Sequence, residues 1–286
     1  MVQQSIYTHN ISVKDSSLRL LIYGSAGFCL ALLAGMVLYI LYQGFSSLSW
    51  TFVSTATSAT KGSVGILGNI INTLYVVVCT LGMAVPLGVG AAIYLNEYAH
   101  RGRLVKIIEF TTETLAGIPS IIFGMFGMLF FGVTLGLKYS ILTGSLTLTL
   151  MILPLLTRTT QEALKAVPEA YRMGALGLGA SKWYMIRTII LPSAMPGIIT
   201  GMVLALGRVI GESAALLFTA GSGYFLPKDI VMKIFQPGGT LTIQMYIYMQ
   251  NADYAHAFGI AVILVLLVLG LNILAQCIAR HFRVNP

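Results

Sequence analysis

Two charged residues, Arg208 and Glu212, lie near the middle of a long apolar segment, residues 194–220. A spacing of four places them one turn apart on one face of a helix, where the carboxylate can partly compensate the guanidinium. A guanidinium suits an oxyanion because its planar fork donates two parallel hydrogen bonds. An arginine at the bilayer centre costs about 2.5–3.5 kcal/mol. The pair therefore predicts either an anion-contacting arginine tuned by Glu212 or a structural ion pair that ties helices together.

Arg158 is a second candidate for contact with an anion. It follows Pro154 by four residues at the end of another apolar segment, and Thr157, Thr159 and Thr160 lie beside it. Threonine hydroxyls can donate hydrogen bonds to an anion. The alternative is a loop charge of the kind that flanks membrane segments on their cytoplasmic side.

No signature of catalysis accompanies these residues. The sequence lacks the G-x-x-x-x-G-K-[ST] loop that cradles ATP phosphates, and it lacks the H-E-x-x-H and G-x-S-x-G motifs. Cys29, Cys79 and Cys277 lie far from one another in the sequence, so neither a zinc site nor a disulfide framework is indicated. We therefore expect a protein that is not an enzyme and that has no metal and no cofactor.

The composition indicates that lipid surrounds most of this chain. Hydrophobic residues make up 57% and charged residues 9% of the 286 residues, and the mean hydropathy is +0.86. A typical soluble domain carries roughly 25% charged residues. The net charge of +8 does not indicate nucleic-acid binding, because the basic residues are scattered between apolar runs rather than clustered on one face.

Six stretches are long and apolar enough to cross a bilayer, which needs about 20 residues per helix. They are residues 18–42, 70–95, 110–133, 140–157, 194–220 and 257–279. The sequence therefore predicts an all-α, polytopic membrane protein with six transmembrane helices. The first helix follows an N-terminal segment of residues 1–17, and its apolar run is too long for a cleaved signal peptide.

Lysines and arginines concentrate on one side of this predicted topology. They are frequent in both terminal segments and in the connections after the second and fourth helices, and they are sparse elsewhere. Under the positive-inside rule, both termini and the connection of residues 158–191 face the cytoplasm. That connection mixes apolar and charged residues at helical spacing, which predicts two short amphipathic helices with a break at residues 177–179. An apolar face there indicates a docking surface for a partner.

This connection resembles the coupling loop of permease subunits in bacterial ABC importers. The pattern of that family is Glu-Ala-Ala, three residues, Gly, nine residues, Ile, one residue, Leu-Pro. The residues that match it at the same spacing are Gly179, Ile189, Leu191 and Pro192. Met173 takes the place of the glutamate and is followed by Gly174 and Ala175, so the first two residues of the pattern are absent. The resemblance implies that residues 173–192 contact an ATPase.

Three further strings resemble permeases of phosphate importers. They are residues 90–98 (GAAIYLNEY), 115–124 (LAGIPSIIFG) and 211–220 (GESAALLFTA). The last of these strings and residues 155–160 (LLTRTT) are similar to the A-type subunit, PstA, rather than to its C-type sister. The similarity implies one permease domain over residues 65–286, with the type I ABC importer fold and coupling helices between transmembrane helices 4 and 5.

The resemblance implies a heteromeric phosphate importer in the bacterial cytoplasmic (inner) membrane. Two different permeases would form the pathway, two copies of an ATP-binding subunit would dock on their cytoplasmic loops, and an extracytoplasmic binding protein would deliver inorganic phosphate. Arg158, Arg208 and Glu212 then become candidate residues of the substrate path. The alternatives are an importer of another oxyanion (molybdate, tungstate or sulfate), a stand-alone secondary carrier or channel, and a purely structural assembly subunit.

Overall fold

The fold is a bundle of helices. The computed structural model describes residues 13–58, 63–99, 102–226 and 229–281, so most of the predicted N-terminal segment 1–17 lies outside the described residues. The helices are α1 (Val13–Phe45), α2 (Trp50–Ser54), α3 (Leu67–Ile93), α4 (Arg103–Ala116), α5 (Ser120–Gly127), α6 (Ile141–Lys165), α7 (Glu169–Gly177), α8 (Lys182–Met185), α9 (Leu191–Gly211), α10 (Ala214–Thr219), α11 (Leu241–Gln250) and α12 (Tyr254–His281). Wider, π-helical turns follow α3, α5 and α8 at Tyr94–Tyr98, Met128–Thr134 and Ile186–Ile190, and a 3-10 turn covers Met232–Phe235.

A short antiparallel ribbon joins α2 to α3, and it is the one departure from an all-α fold among the described residues. Its strands are β1 (Ala56–Ser58) and β2 (Ser63–Ile66). Ile66 at the end of the ribbon is buried in one cluster with Phe52 of α2 and Ile260 of α12. The ribbon therefore closes one end of the bundle by ordinary apolar packing.

Five helical stretches are long and apolar enough to cross a membrane. They are Ser17–Phe45, Leu67–Tyr98, Ile141–Lys165, Lys182–Gly211 and Tyr254–Cys277. Helices α4 and α5 supply a sixth span if the bent pair that they form is counted as one. In this form the predicted polytopic helical fold is confirmed.

The predicted third segment, residues 110–133, is bent rather than straight. Helix α4 ends at Ala116, α5 begins at Ser120, and the stretches Val105–Ala116 and Ser120–Thr134 differ in direction by 102°. Pro119 causes the break, because proline has no N–H to donate and disfavours a helical conformation at the residue before it. Irregular backbone at membrane depth is tolerated where it is buried in protein or lines a cavity.

The predicted fifth segment, residues 194–220, is two helices, so the expectation of one continuous helix through Arg208 and Glu212 is wrong. Helix α9 ends at Gly211, Glu212 has an extended backbone (φ −78°, ψ 125°), and α10 begins at Ala214. Hydropathy does not reveal such a break, because the residues on both sides of it are apolar.

The predicted fourth segment, residues 140–157, ends too early. Helix α6 continues to Lys165, so Arg158 lies within a helix and not in the connection of residues 158–191. Hydropathy marks only the apolar part of a helix, whereas the last turns of α6 contain good helix formers. The ion pair between Arg158 and Glu162, one turn apart, further supports these turns.

Helix α6 lies at the centre of the bundle, packed against α3 and α9. Leu148, Ile152 and Leu156 of α6 are fully buried. Glycine permits the close approach of α3, since a Cβ atom added at Gly88 would lie only 2.9 Å from Cβ of Leu156. Small residues at helix contacts are typical of membrane bundles, where close backbone packing replaces the hydrophobic driving force.

A pair of valine substitutions in α3 tests this packing. Gly88→Val should destabilise the bundle by about 1–3 kcal/mol, because the added side chain overpacks the contact with α6. Gly90→Val is the matched control, since a Cβ atom at Gly90 meets nothing within 4 Å. The measurement is the apparent melting temperature of the detergent-purified chain, and equal values for the two variants would contradict the packing.

Candidate functional site

A cavity of about 220 Å³ brings together the two arginines that the sequence singled out. Arg208 reaches it from α9 and Arg158 from α6, while α4 contributes Glu109 and Glu113. The other lining residues are Thr112, Ala116, Met151, Pro154, Leu155 and Gln161. Three helices that are distant in sequence thus form one open cavity, in which four charged side chains lie among mostly apolar surface.

Arg158 is held by two carboxylates. Its Nη1 donates to Oε1 of Glu113 on α4 at 3.0 Å, and its Nε donates to Oε1 of Glu162 on α6 at 2.9 Å. More than half of each of these three side chains is exposed, so the two ion pairs contribute little to stability. Their consequence is geometric, because the pair with Glu113 brings the guanidinium of α6 next to a carboxylate of α4 at the cavity. Sequence reasoning did not select Glu113 as a residue of the site.

Arg208 has a different environment. Within the described residues its guanidinium makes no hydrogen bond and no ion pair, and the side chain is exposed to the cavity. All five of its N–H donors are therefore open to a ligand. The two arginines and the two glutamates that line the cavity balance in formal charge, so an anion would meet directed donors without a large net positive field.

Glu212 does not pair with Arg208, which corrects the predicted ion pair. Its carboxylate Oε1 accepts a hydrogen bond from the backbone N–H of Ala215 at 3.1 Å, in the first turn of α10. Its carbonyl oxygen accepts from the Thr242 hydroxyl at 2.9 Å. The prediction assumed one continuous helix, in which residues four apart lie on the same face. Helix α9 ends before Glu212, so the two side chains do not meet.

The residues predicted to contact an ATPase divide into an exposed and a structural group. They lie in three places, namely Met173, Gly174 and Ala175 in α7, Gly179 between α7 and α8, and Ile189, Leu191 and Pro192 where α9 begins. Ala175 is buried, and Gly179 has φ +81°, a left-handed conformation that favours glycine and separates α7 from α8. Met173 is exposed, as are Leu178 and Trp183 nearby, so this end of the bundle presents an apolar surface.

A buried ion pair ties α7 to the bundle, and sequence reasoning missed it. Nη2 of Arg172 donates to Oε1 of Glu97 at 3.0 Å, and Nε donates to the same oxygen at 3.3 Å. The two side chains are only 12% and 5% exposed. Arg172 lies in the connection of residues 158–191, which the sequence marked only as rich in basic residues, and Glu97 lies within the string of residues 90–98 that carries a family resemblance.

Arg172 also bonds the end of α6. Its Nη2 donates to the carbonyl oxygen of Leu164 at 2.9 Å, and its Nη1 donates to that of Val167 at 3.0 Å and to Oε2 of Glu169 at 3.1 Å. The last carbonyls of a helix have no partner within the helix and favour a cation. One guanidinium thus joins α7, the end of α6 and the turn after α3.

A bundle of apolar spans, with an open cavity that four charged side chains line and a separate helix pair at one end, is the architecture of a multi-pass membrane protein. The chain belongs to the family described as the binding-protein-dependent transport system inner membrane component, which matches residues 84–284.

Individual relatives agree with this family. The chain is 36% identical to the probable ABC transporter permease protein YqgI of Bacillus subtilis, over 88% of this chain and 92% of that protein. It is 32% identical to the phosphate transport system permease protein PstA of Mycobacterium leprae, over 91% of this chain and 87% of that protein. A chain in the crystal structure of a bacterial alginate ABC transporter, in complex with alginate pentasaccharide-bound periplasmic protein, superposes with a TM-score of 0.71 at 15% identity, covering 96% and 97% of the two chains. This structural likeness confirms the type I importer permease fold.

Two substitutions test the corrected role of Glu212. Glu212→Gln should keep the first turn of α10 intact, because the amide oxygen can still accept from Ala215. Glu212→Ala removes that acceptor and should cost about 1 kcal/mol of stability. Melting temperatures of the purified variants measure the difference. An equal loss of melting temperature in both variants would show that the negative charge of Glu212 matters, and it would favour an ion pair with Arg208.

Proposed function

We propose that this chain is a permease subunit of an ATP-driven importer of inorganic phosphate and forms half of the translocation pathway. One observation carries the proposal, namely that Arg158 and Arg208 from different helices line one cavity within the spans. Two guanidinium groups can bind an oxyanion through several charge-assisted hydrogen bonds. Relatives that are named phosphate transport system permeases favour phosphate as the anion.

The balance of charge in the cavity suits transient rather than tight binding of an anion. A pathway must attract its ion strongly enough for entry and weakly enough for release. Glu113 already occupies part of the hydrogen-bonding capacity of Arg158, so an anion there competes with a carboxylate. The sequence assigned this moderating role to Glu212, whereas the cavity geometry favours Glu113.

The proposed assembly has several subunits. A sister permease would complete the pathway, two copies of an ATP-binding subunit would hydrolyse ATP, and an extracytoplasmic binding protein would deliver phosphate. The family description includes binding-protein dependence, which supports the last of these partners. The exposed apolar surface around Met173 and Trp183 supports docking of the ATP-binding subunit. The chain itself would carry out no catalysis.

The proposed orientation follows from charge. Lysines and arginines favour the cytoplasmic side of the bacterial inner membrane, so both termini and helices α7 and α8 would face the cytoplasm. The region of residues 65–286 would be the permease domain, preceded by the first membrane helix.

The mechanism we propose is alternating access. When the two ATP-binding subunits bind ATP and close on each other, they would move α7 and α8. The bonds of Arg172 to Glu97 and Leu164 would pass that movement to α3 and α6. Because α6 also carries Arg158, displacement of this helix would change the cavity. Hydrolysis and product release would return the bundle to its inward-open state.

Uptake of labelled phosphate by proteoliposomes tests the function. The vesicles would contain this chain, its partner permease and its ATPase, with loaded binding protein outside and ATP available to the ATPase. Arg208→Ala should lower uptake about 10-fold to 100-fold, as expected for the loss of a hydrogen bond to a charged group. Arg103→Ala, at the exposed start of α4, is the control and should retain uptake.

Other outcomes of this experiment would change the proposal. ATP-driven uptake of sulfate, molybdate or tungstate in place of phosphate would keep the architecture and replace the substrate. Transport without ATP would favour a secondary carrier. Loss of the assembled complex in Arg208→Ala would favour a structural role for this arginine.

Alanine substitutions of two glutamates that bond Arg172 test whether this arginine transmits the movement of α7 to the rest of the bundle. Glu97→Ala removes the bond by which Arg172 of α7 holds the turn after α3, and breaking such a buried ion pair costs about 3–5 kcal/mol. We therefore expect less phosphate to be moved per ATP hydrolysed. Glu169→Ala is the matched control, since Glu169 also bonds Arg172 but is exposed. The measurements are ATPase activity and uptake on the same preparation. Equal ratios in the two variants would contradict transmission through Glu97.

A further inference from the structure

Arg158 and Glu113 present a donor beside an acceptor at the wall of the cavity. Their ion pair joins Nη1 to Oε1, and Nε of Arg158 is bonded to Glu162. Within the described residues, Nη2 of Arg158 and Oε2 of Glu113 have no hydrogen-bond partner. Arg208, which lines the same cavity, adds further free donors.

Oxyanions differ in whether they carry a proton at neutral pH. Inorganic phosphate retains at least one, so it offers an O–H donor as well as charged oxygens, whereas sulfate and molybdate offer acceptors alone. An ionised carboxylate can accept hydrogen bonds but cannot donate them. Beside such a carboxylate, the O–H of phosphate gains an acceptor, whereas sulfate has no hydrogen to donate and is repelled by the like charge. Sites that bond a substrate O–H reject analogues lacking it far more strongly than shape alone allows.

We propose that Glu113 determines the anion specificity of the substrate path. Its carboxylate accepts the O–H of a protonated oxyanion such as hydrogen phosphate, while Arg158 and Arg208 donate to the charged oxygens. The assignment rests on the proposed function, because it requires the anion to pass through this cavity. It goes further by placing a step of anion selection within the permease, separate from selection by a binding protein.

Two other glutamates, one outside the cavity and one in its lining, serve as comparison residues for Glu113. Glu162 bonds the same arginine as Glu113 but does not line the cavity. If Glu113 merely neutralised Arg158, removing either negative charge would have the same effect. If Glu113 accepts the O–H of phosphate, only removal of the Glu113 carboxylate should change the anion preference. Glu109, one turn earlier on α4, also lines the cavity and is the competing acceptor.

Protection of a cysteine can report anion binding in the cavity independently of delivery by the binding protein. Ala116 lines the cavity three residues beyond Glu113, so Ala116→Cys places a thiol there. The native cysteines, Cys29, Cys79 and Cys277, are replaced by alanine. The importer, assembled with its partner permease and ATPase in nanodiscs, is labelled with an uncharged maleimide at constant ionic strength. Inorganic phosphate, sulfate and molybdate are added at rising concentrations.

We expect phosphate to slow labelling at concentrations where sulfate and molybdate have no effect. Glu113→Gln should reduce this preference about tenfold, because the amide can donate to sulfate and no longer repels it. Glu162→Gln and Glu113→Asp should keep the preference, the latter because it retains a carboxylate. An equal loss in Glu113→Gln and Glu162→Gln, a loss confined to Glu109→Gln, or no preference in the unsubstituted reporter would overturn the assignment.

ATP-driven phosphate uptake by the same variants, assembled with the partner permease and ATPase in proteoliposomes, separates this inference from the proposed function. Uptake that persists while phosphate gives no protection of Ala116→Cys overturns the role of Glu113 and leaves the importer in place. Absence of phosphate uptake, with ATP-driven uptake of another anion, overturns the proposed function itself.

Discussion

Hydrocarbon offers the backbone no hydrogen-bond partner, and the arrangement of this bundle follows from that constraint. Each break in a span occurs where the freed groups find partners within the protein. Before Pro119, the N–H groups of Gly117 and Ile118 donate to carbonyls of the last turn of α4. At the second break, Glu212 receives the N–H of Ala215 through its carboxylate. Helix α6 remains unbroken and provides the surface on which the divided spans pack.

The same low-polarity surroundings explain how the arginines are accommodated. A charge in this environment requires partners or access to water. Arg158 obtains two carboxylates, one of them from another helix, whereas Arg208 opens onto the cavity. The partner across the cavity is therefore α4, which is carried into position by the bend at Pro119. A packing feature thus determines the electrostatics of the site.

Helix α6 connects the cavity to the helix pair at the end of the bundle. Arg158 and the carbonyl of Leu164 lie less than two turns apart on this helix, and Arg172 bonds that carbonyl together with Glu97. The exposed ion pairs of the cavity can exchange partners at little cost, whereas the buried pair at the end of the helix cannot. This difference suits alternating access, because the joined helix ends can move as one unit while the ion pairs at the cavity rearrange.

The sequence by itself determined the approximate place of the membrane-spanning segments, the break near Gly179 and the choice of Arg158 and Arg208 as candidates. Hydropathy, glycine and buried charge are local signals, and each reflects the solvent or backbone geometry of its own segment. Spacing wrongly paired Arg208 with Glu212, because it assumed that the helix continued. Only the tertiary structure decided which carboxylate meets which arginine. The pairs of Arg158 with Glu113 and of Arg172 with Glu97 join helices whose relative positions depend on packing across the whole bundle.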